Sequence, residues 1–176
     1  MFFYTTINNP LILNKVSNTN NFAFSNANGN FESKGFETNV KLRVEDISFY
    51  LGYTYIDASR NFNNTSIVNP LTAKYRFNAN IMWEFGEKFR LAYEAFYVGQ
   101  QYLTNTEKVR DYLVMGISGE YKFEHFSLFA NLENFTDSRQ SRWENMYSGT
   151  IQNPQFREVY TPTDGLIFNG GFKIRL

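Results

Sequence analysis

The chain reads as an all-β protein, an antiparallel transmembrane β-barrel. Three observations predict this: a period-two alternation along most of its segments, an unusual load of rings, and connections that alternate between short and long. It holds 19 Phe and 12 Tyr in 176 residues, yet its mean hydropathy is only −0.43. Successive side chains of a strand point to opposite faces, so one apolar stripe and one polar stripe dilute the average. Rings that collect at two membrane interfaces account for the aromatic content.

Taken in chain order, the predicted strands are residues 2–13, 31–44 (begun as early as 22), 47–60, 72–85, 88–103, 111–123, 126–135 and 164–176, about eight in all. The first opens on Phe2, Phe3, Tyr4, Thr5, Thr6 and Ile7, strong strand formers. In the second, Phe36, Thr38, Val40, Leu42 and Val44 oppose Glu37, Asn39, Lys41 and Arg43. In the fourth, Tyr75, Phe77, Ala79, Ile81, Trp83 and Phe85 oppose Lys74, Arg76, Asn78, Asn80, Met82 and Glu84. Phe89, Leu91, Tyr93, Ala95 and Tyr97 mark the fifth, and Leu113, Met115, Ile117, Gly119, Tyr121 and Phe123 the sixth. The last sets Leu166, Phe168, Gly170, Phe172, Ile174 and Leu176 against Ile167, Asn169, Gly171, Lys173 and Arg175. Such long strands suit a tilted membrane crossing of roughly 9 to 11 residues plus overhang.

Glu45-Asp46, Gly86-Glu87 and Glu124-His125 are tight turns, whereas residues 14–30, 61–71, 104–110 and 136–163 are long and polar. Short periplasmic turns and long external loops are how outer-membrane barrels sort their connections. Asn28-Gly29 could close a two-residue hairpin, but a further hairpin would break that order, so one long kinked strand is the preferred reading.

Composition excludes several classes. Seventeen acidic and seventeen basic residues leave no basic stripe for a nucleic-acid partner. No apolar run approaches the roughly 20 residues of a membrane-spanning helix. Zero cysteines remove disulfides and thiolate metal sites, and the single histidine, His125, falls in a tight turn, so no catalytic triad, metal site or cofactor is expected and the chain is not read as an enzyme. The run after Met1 carries neither a basic nor an apolar leader segment, and the sequence is read as a piece of a longer exported protein.

Residues 131–140 (Asn-Leu-Glu-Asn-Phe-Thr-Asp-Ser-Arg-Gln) and 154–165, closed by the amphipathic strand to Leu176, resemble the C-terminal end of TonB-dependent outer-membrane receptors, notably those of Bacteroidetes. Gly35-Phe36-Glu37 and residues 97–103 are similar to other strands of that family. The resemblance implies a 22-stranded barrel, of which residues 1–176 would form the C-terminal part. It also implies a plug domain and signal peptide elsewhere in the full-length receptor, contact with the TonB complex through that missing N-terminal part, and a site in the outer membrane of a Gram-negative bacterium. The expected cargo is a scarce nutrient such as a metal chelate (a siderophore, cobalamin or similar). Where the family usually ends in an aromatic residue, this chain has Leu176.

Within residues 136–163, Arg139, Arg142, Trp143, Tyr147, Phe156, Arg157 and Tyr160 are the ligand-binding candidates, Arg by bidentate contacts and the rings by stacking. The alternative for these residues is packing of the loop onto the rim. Inward-facing charges, Glu37, Lys41, Arg43, Lys74, Arg76, Glu84, Arg90, Glu94, Glu120, Lys122, Glu133, Lys173 and Arg175, are expected to contact a plug or a solvated lumen. Two rival readings remain at this stage: a complete eight-stranded outer-membrane barrel with a structural or adhesion role, and a soluble lipocalin-like barrel whose apolar faces point inward.

Overall fold

The computed structural model describes residues 1–104 and 107–174. Its strands are β1 (Phe2–Asn8), β2 (Leu11–Lys15), β3 (Phe22–Asn26), β4 (Gly29–Val44), β5 (Ile47–Phe62), β6 (Thr65–Val68), β7 (Tyr75–Phe85), β8 (Phe89–Val98), β9 (Gln101–Tyr102), β10 (Lys108–Val109), β11 (Tyr112–Lys122), β12 (Phe126–Glu133), β13 (Tyr147–Thr150), β14 (Asn153–Phe156) and β15 (Ile167–Ile174). One antiparallel sheet runs β1-β4-β5-β7-β8-β11-β12-β15, with β6 added to the end of β5. These eight strands match the eight predicted ones, and the three tight turns join β4 to β5, β7 to β8 and β11 to β12. Among the described residues β1 and β15 do not pair with each other, so the sheet is an open wall. Both rival readings needed a barrel closed by these strands alone.

The long connections hold more strand than their polarity suggests. The predicted first strand, residues 2–13, breaks after Asn8 into β1 and β2, and residues 14–30, expected as loop, hold the turn and return arm of a hairpin: β2 pairs β3, and the chain reverses where Val16 N–H donates to Asn21 O at 2.9 Å. The chain does not reverse at Asn28-Gly29. Asn8 pairs Asn30 while Leu11 pairs Asn26, so one arm spends two residues where the other spends three. That extra residue is a bulge, placed beside Gly29 at φ +143, a backbone conformation open to glycine. Residues 61–71 likewise shorten to a turn at Asn63 and Asn64, both left-handed at φ 51 and 61, because β5 overruns to Phe62 and pairs with β6. Arg175 and Leu176 lie outside the described residues, as do positions 105 and 106 of the loop placed at 104–110.

The two faces differ as the alternation requires. On the apolar face one cluster of rings joins Phe2, Phe36, Tyr53, Tyr55 and Tyr75, with centroids 5.6–5.9 Å apart. A second joins Trp83 to Phe85 (3.8 Å) and Phe85 to Phe89 (5.3 Å); Phe123 meets Tyr121 at 4.8 Å and Phe126 at 4.4 Å. Tyr75 and Trp83 are eight residues apart on one strand, about 27 Å at the usual rise and about 21 Å in projection if the strand tilts by about 40°. That matches the apolar band of an outer-membrane barrel, roughly 25 Å tall between its aromatic girdles. The stripe between the rings stays uncovered: Leu128 is 47% and Phe172 67% exposed. Among the described residues the buried apolar ones are few and mostly small (Ala27, Ala58, Ala73, Ala95, Val109, Tyr160), and none of the described elements forms a second layer on this face. Its favourable surroundings are another apolar medium.

The polar face carries an alternating ladder near the tight turns. Glu84, Arg90 and Glu120 are cross-strand neighbours on β7, β8 and β11. Arg90 lies 2.8 Å from Glu84 and 3.8 Å from Glu120; Arg43 reaches Glu84 at 3.2 Å and Lys173 reaches Glu120 at 3.1 Å. Ser127 Oγ donates to Glu120 at 2.8 Å. Further from the turns the face becomes amide-rich: Tyr50 donates to Asn39, and Asn131, Asn169 and Glu133 form a chain with contacts of 2.7 and 2.6 Å. Lys74 departs from the expected set, since its ammonium lies 6.0 Å from the ring of Tyr55.

Candidate functional site

The connection between β12 and β15 is anchored at its base by a short knot of side-chain hydrogen bonds. Asn134 adopts a left-handed conformation (φ 46), which its short amide tolerates, and is buried. Its Oδ1 accepts from Ser138 N–H (2.9 Å) and lies 3.1 Å from Thr136 Oγ1, and its Nδ2 donates to Ser138 O (3.1 Å) and Asp164 O (3.0 Å). Thr136 Oγ1 then donates to Leu113 O at 2.8 Å, Ser138 Oγ donates to the same carbonyl, and Phe135 N–H donates to Met115 O at 2.9 Å. The Asn-Phe-Thr-Asp-Ser segment thus ties the outgoing chain to β11 and, through Asp164, to the returning chain. Its polar residues serve this geometry.

Two charge clusters sit above the knot. Asp137 is shared by two arginines: Arg142 Nη1 lies 3.0 Å from Oδ2, and Arg139 Nε lies 2.8 Å from Oδ1 with its N–H directed off the oxygen, an ion pair more than an aligned hydrogen bond. Glu144 is the second centre. It accepts from Tyr160 OH (2.6 Å), Arg157 Nη1 (2.8 Å) and Gln140 Nε2 (3.3 Å), while Trp143 Nε1 donates to Tyr160 OH at 3.1 Å. Gln140, within the 3-10 turn Gln140–Arg142 and 1% exposed, also donates to Glu158 O and accepts from Tyr160 N–H. Burial pushes the Glu144 carboxyl up, but the hydrogen bonds from Tyr160, Arg157 and Gln140 outweigh it and hold it below the usual carboxylate range. Burial, followed by the hydrogen bond to Glu144, raises the Tyr160 phenol.

Of the seven predicted site residues, the structure brings Trp143, Arg157 and Tyr160 together around Glu144 and sets Arg139 and Arg142 on Asp137. Tyr147 and Phe156 stand apart as direct cross-strand partners on the β13–β14 hairpin, 60% and 76% exposed. Sequence reasoning passed over Glu144, a lone carboxylate among exposed polar residues, and Arg110. The Arg110 guanidinium, from the connection before β11, lies 5.0 Å from the Trp143 ring and so joins two loops.

The family described as TonB dependent receptor-like, beta-barrel matches residues 2–135. The chain belongs to this family. Among solved structures, this TonB-dependent receptor barrel is similar to the ferric yersiniabactin uptake receptor FyuA from Yersinia pestis, at 17% identity and TM-score 0.64, over 97% of this chain and 24% of that one. The FrpB iron transporter from Neisseria meningitidis matches at 12% identity and TM-score 0.66, over 97% of this chain and 28% of that one. The ferric-catecholate import receptor Fiu from E. coli K12 matches at 19% identity and TM-score 0.60, over 78% of this chain and 20% of that one. These likenesses show a shared fold, and the chain spans 28% or less of each of these three receptors. No curated protein matches its sequence. The β12–β15 connection lies beyond the matched residues.

Proposed function

We propose that the chain is the C-terminal wall of an outer-membrane receptor that imports a scarce nutrient, with a metal chelate as the favoured cargo. The observation that carries this reading is the contrast between two faces of the same strands: two ring clusters about one apolar membrane thickness apart on one side, an ion-pair ladder on the other. In this reading residues 1–176 supply wall and recognition loops, and a plug domain elsewhere in the full receptor lies against the polar face and couples to TonB. Arg139, Arg142, Trp143, Tyr147, Phe156, Arg157 and Tyr160 are proposed to shape the ligand-facing rim. No bond is made or broken by these residues; the work is binding and passage.

Residues 1–176 hold no cysteine, so the test places single cysteines here in a full-length receptor whose cysteines elsewhere, if any, are replaced by serine. Ser148→Cys on the outer hairpin should react with a membrane-impermeant maleimide on intact cells, and Glu124→Cys at the tight turn only after the outer membrane is breached. Equal labelling of both on intact cells, or recovery of the full-length protein in the soluble fraction, overturns the reading. Uptake of a panel of chelates by cells with and without the receptor tests the cargo.

A further inference from the structure

The arginines of the long loop are largely committed to its own carboxylates. Arg157 is held by Glu144, and Arg139 and Arg142 share Asp137. Gripping a ligand with any of them means breaking an ion pair inside the loop. Arg110 differs. It is exposed, no carboxylate lies within ion-pair distance of it among the described residues, and the nearest in sequence, Asp111, accepts the Tyr97 hydroxyl at 2.6 Å. Its guanidinium is instead set against the Trp143 ring at 5.0 Å. A guanidinium held by a cation–π contact keeps its N–H groups available to a ligand and loses little further rotamer freedom when it binds.

Trp143 is itself fixed by the bond from its Nε1 to Tyr160 OH, which in turn donates to Glu144. A chain of contacts therefore runs from the buried Gln140 through Glu144, Tyr160 and Trp143 to one unspent cation on the neighbouring loop. Lys108, two residues away and exposed, adds a second positive charge. Glu107 is the other carboxylate of this loop, and its charge acts on Arg157.

We infer that Arg110, held by Trp143, is the residue that grips the ligand, and that the ligand presents an oxyanion, a carboxylate or catecholate group, to the junction of the last two long loops. This rests on the receptor reading above. It moves the gripping role from the loop's own arginines to a residue outside that loop, and leaves Arg139, Arg142 and Arg157 as its framework.

The test is equilibrium binding to the full-length receptor in detergent, with ferric citrate as the anionic probe, citrate alone as the metal-free arm and ferrichrome as the uncharged chelate. Wild type should bind ferric citrate more tightly than ferrichrome. Arg110→Gln should weaken ferric citrate about tenfold or more, the scale of one lost charge-assisted hydrogen bond. Arg110→Lys should fall between the two, because the charge survives without the planar, multi-donor guanidinium. Tighter binding of ferric citrate than of citrate assigns the ligand as the chelate, and equal binding as the free oxyanion. Unchanged affinity in Arg110→Gln, preference for ferrichrome, or binding of neither iron complex overturns the inference. The labelling experiment judges the receptor reading separately, and heat-modifiable gel mobility confirms that each variant is folded.

Discussion

Gly165 faces Asp137 so closely that a β-carbon at position 165 would collide with the Asp137 carboxylate Oδ1 and lie 3.0 Å from Arg139 Nε. The absence of a side chain at Gly165, on the returning end of the loop, is what leaves room for the Asp137–Arg139 ion pair on its outgoing end. Gly165→Ala is expected to cost about 1–3 kcal/mol, as overpacking does elsewhere. Urea unfolding of the full receptor checks the cost, and Asp137→Ala in the same chain should recover part of it.

The Asn134 side chain makes three hydrogen bonds at the base of that loop. Asn134→Ala removes them and leaves a left-handed residue without its local support, a loss of about 2–4 kcal/mol from unsatisfied partners and backbone strain combined. Hydrogen exchange should accelerate across residues 134–140 while the strands stay protected.

Glu144 gives the loop a pH dependence of definite sign. A carboxyl held below its usual range contributes stability that is fully present above the ordinary glutamate value and is lost as pH falls through the depressed one. Protection factors in residues 140–160, exchange rates corrected for the intrinsic pH dependence, should therefore be flat from neutral pH down to about pH 5 and fall only in stronger acid, below the ordinary Glu pKa of roughly 4.3. Glu144→Gln should abolish that acid limb and leave the loop looser at every pH.

Across the ladder, the carboxylate at the centre matters more than the cation at its edge. Glu120→Ala leaves Arg90 and Lys173 facing each other and Ser127 Oγ without its acceptor, a cost of about 1–3 kcal/mol. Lys173→Ala removes one half-exposed partner and should cost less than about 1 kcal/mol. Denaturant midpoints of the two variants should rank in that order.

A charge placed on either face reads out which side meets lipid. Ala79→Arg puts a cation in the middle of the apolar band and should cost about 2–4 kcal/mol or block assembly, whereas Asn80→Arg, one residue on and facing the polar side, should be tolerated. Assembly scored by heat-modifiable mobility separates them.

Most of the sheet was legible in the sequence, because period two and turn chemistry are local properties. Phe36 to Val44 and Tyr75 to Phe85 announce their faces residue by residue, and the three tight turns fix which strands pair. The hairpins of β2–β3, β5–β6 and β13–β14 were not legible. β6 is a strand because β5 overruns the membrane-spanning length and offers it an edge, whereas β2–β3 and β13–β14 are separate two-stranded ribbons whose partners lie within polar or Asn-rich connections, where period two is too short to read.

The amino-acid sequence by itself determined that most of the long strands carry one apolar and one polar or charged face, and in what order the strands meet, since alternation and turn length need no knowledge of distant residues. Only the tertiary structure decided which charges find each other: Glu120 pairs with Lys173 from 53 residues away, and Trp143 holds Arg110 from another loop. The reason is physical. An ion pair or a stack is chosen by distance in space, and that distance exists only after the backbone hydrogen bonds have laid the strands side by side.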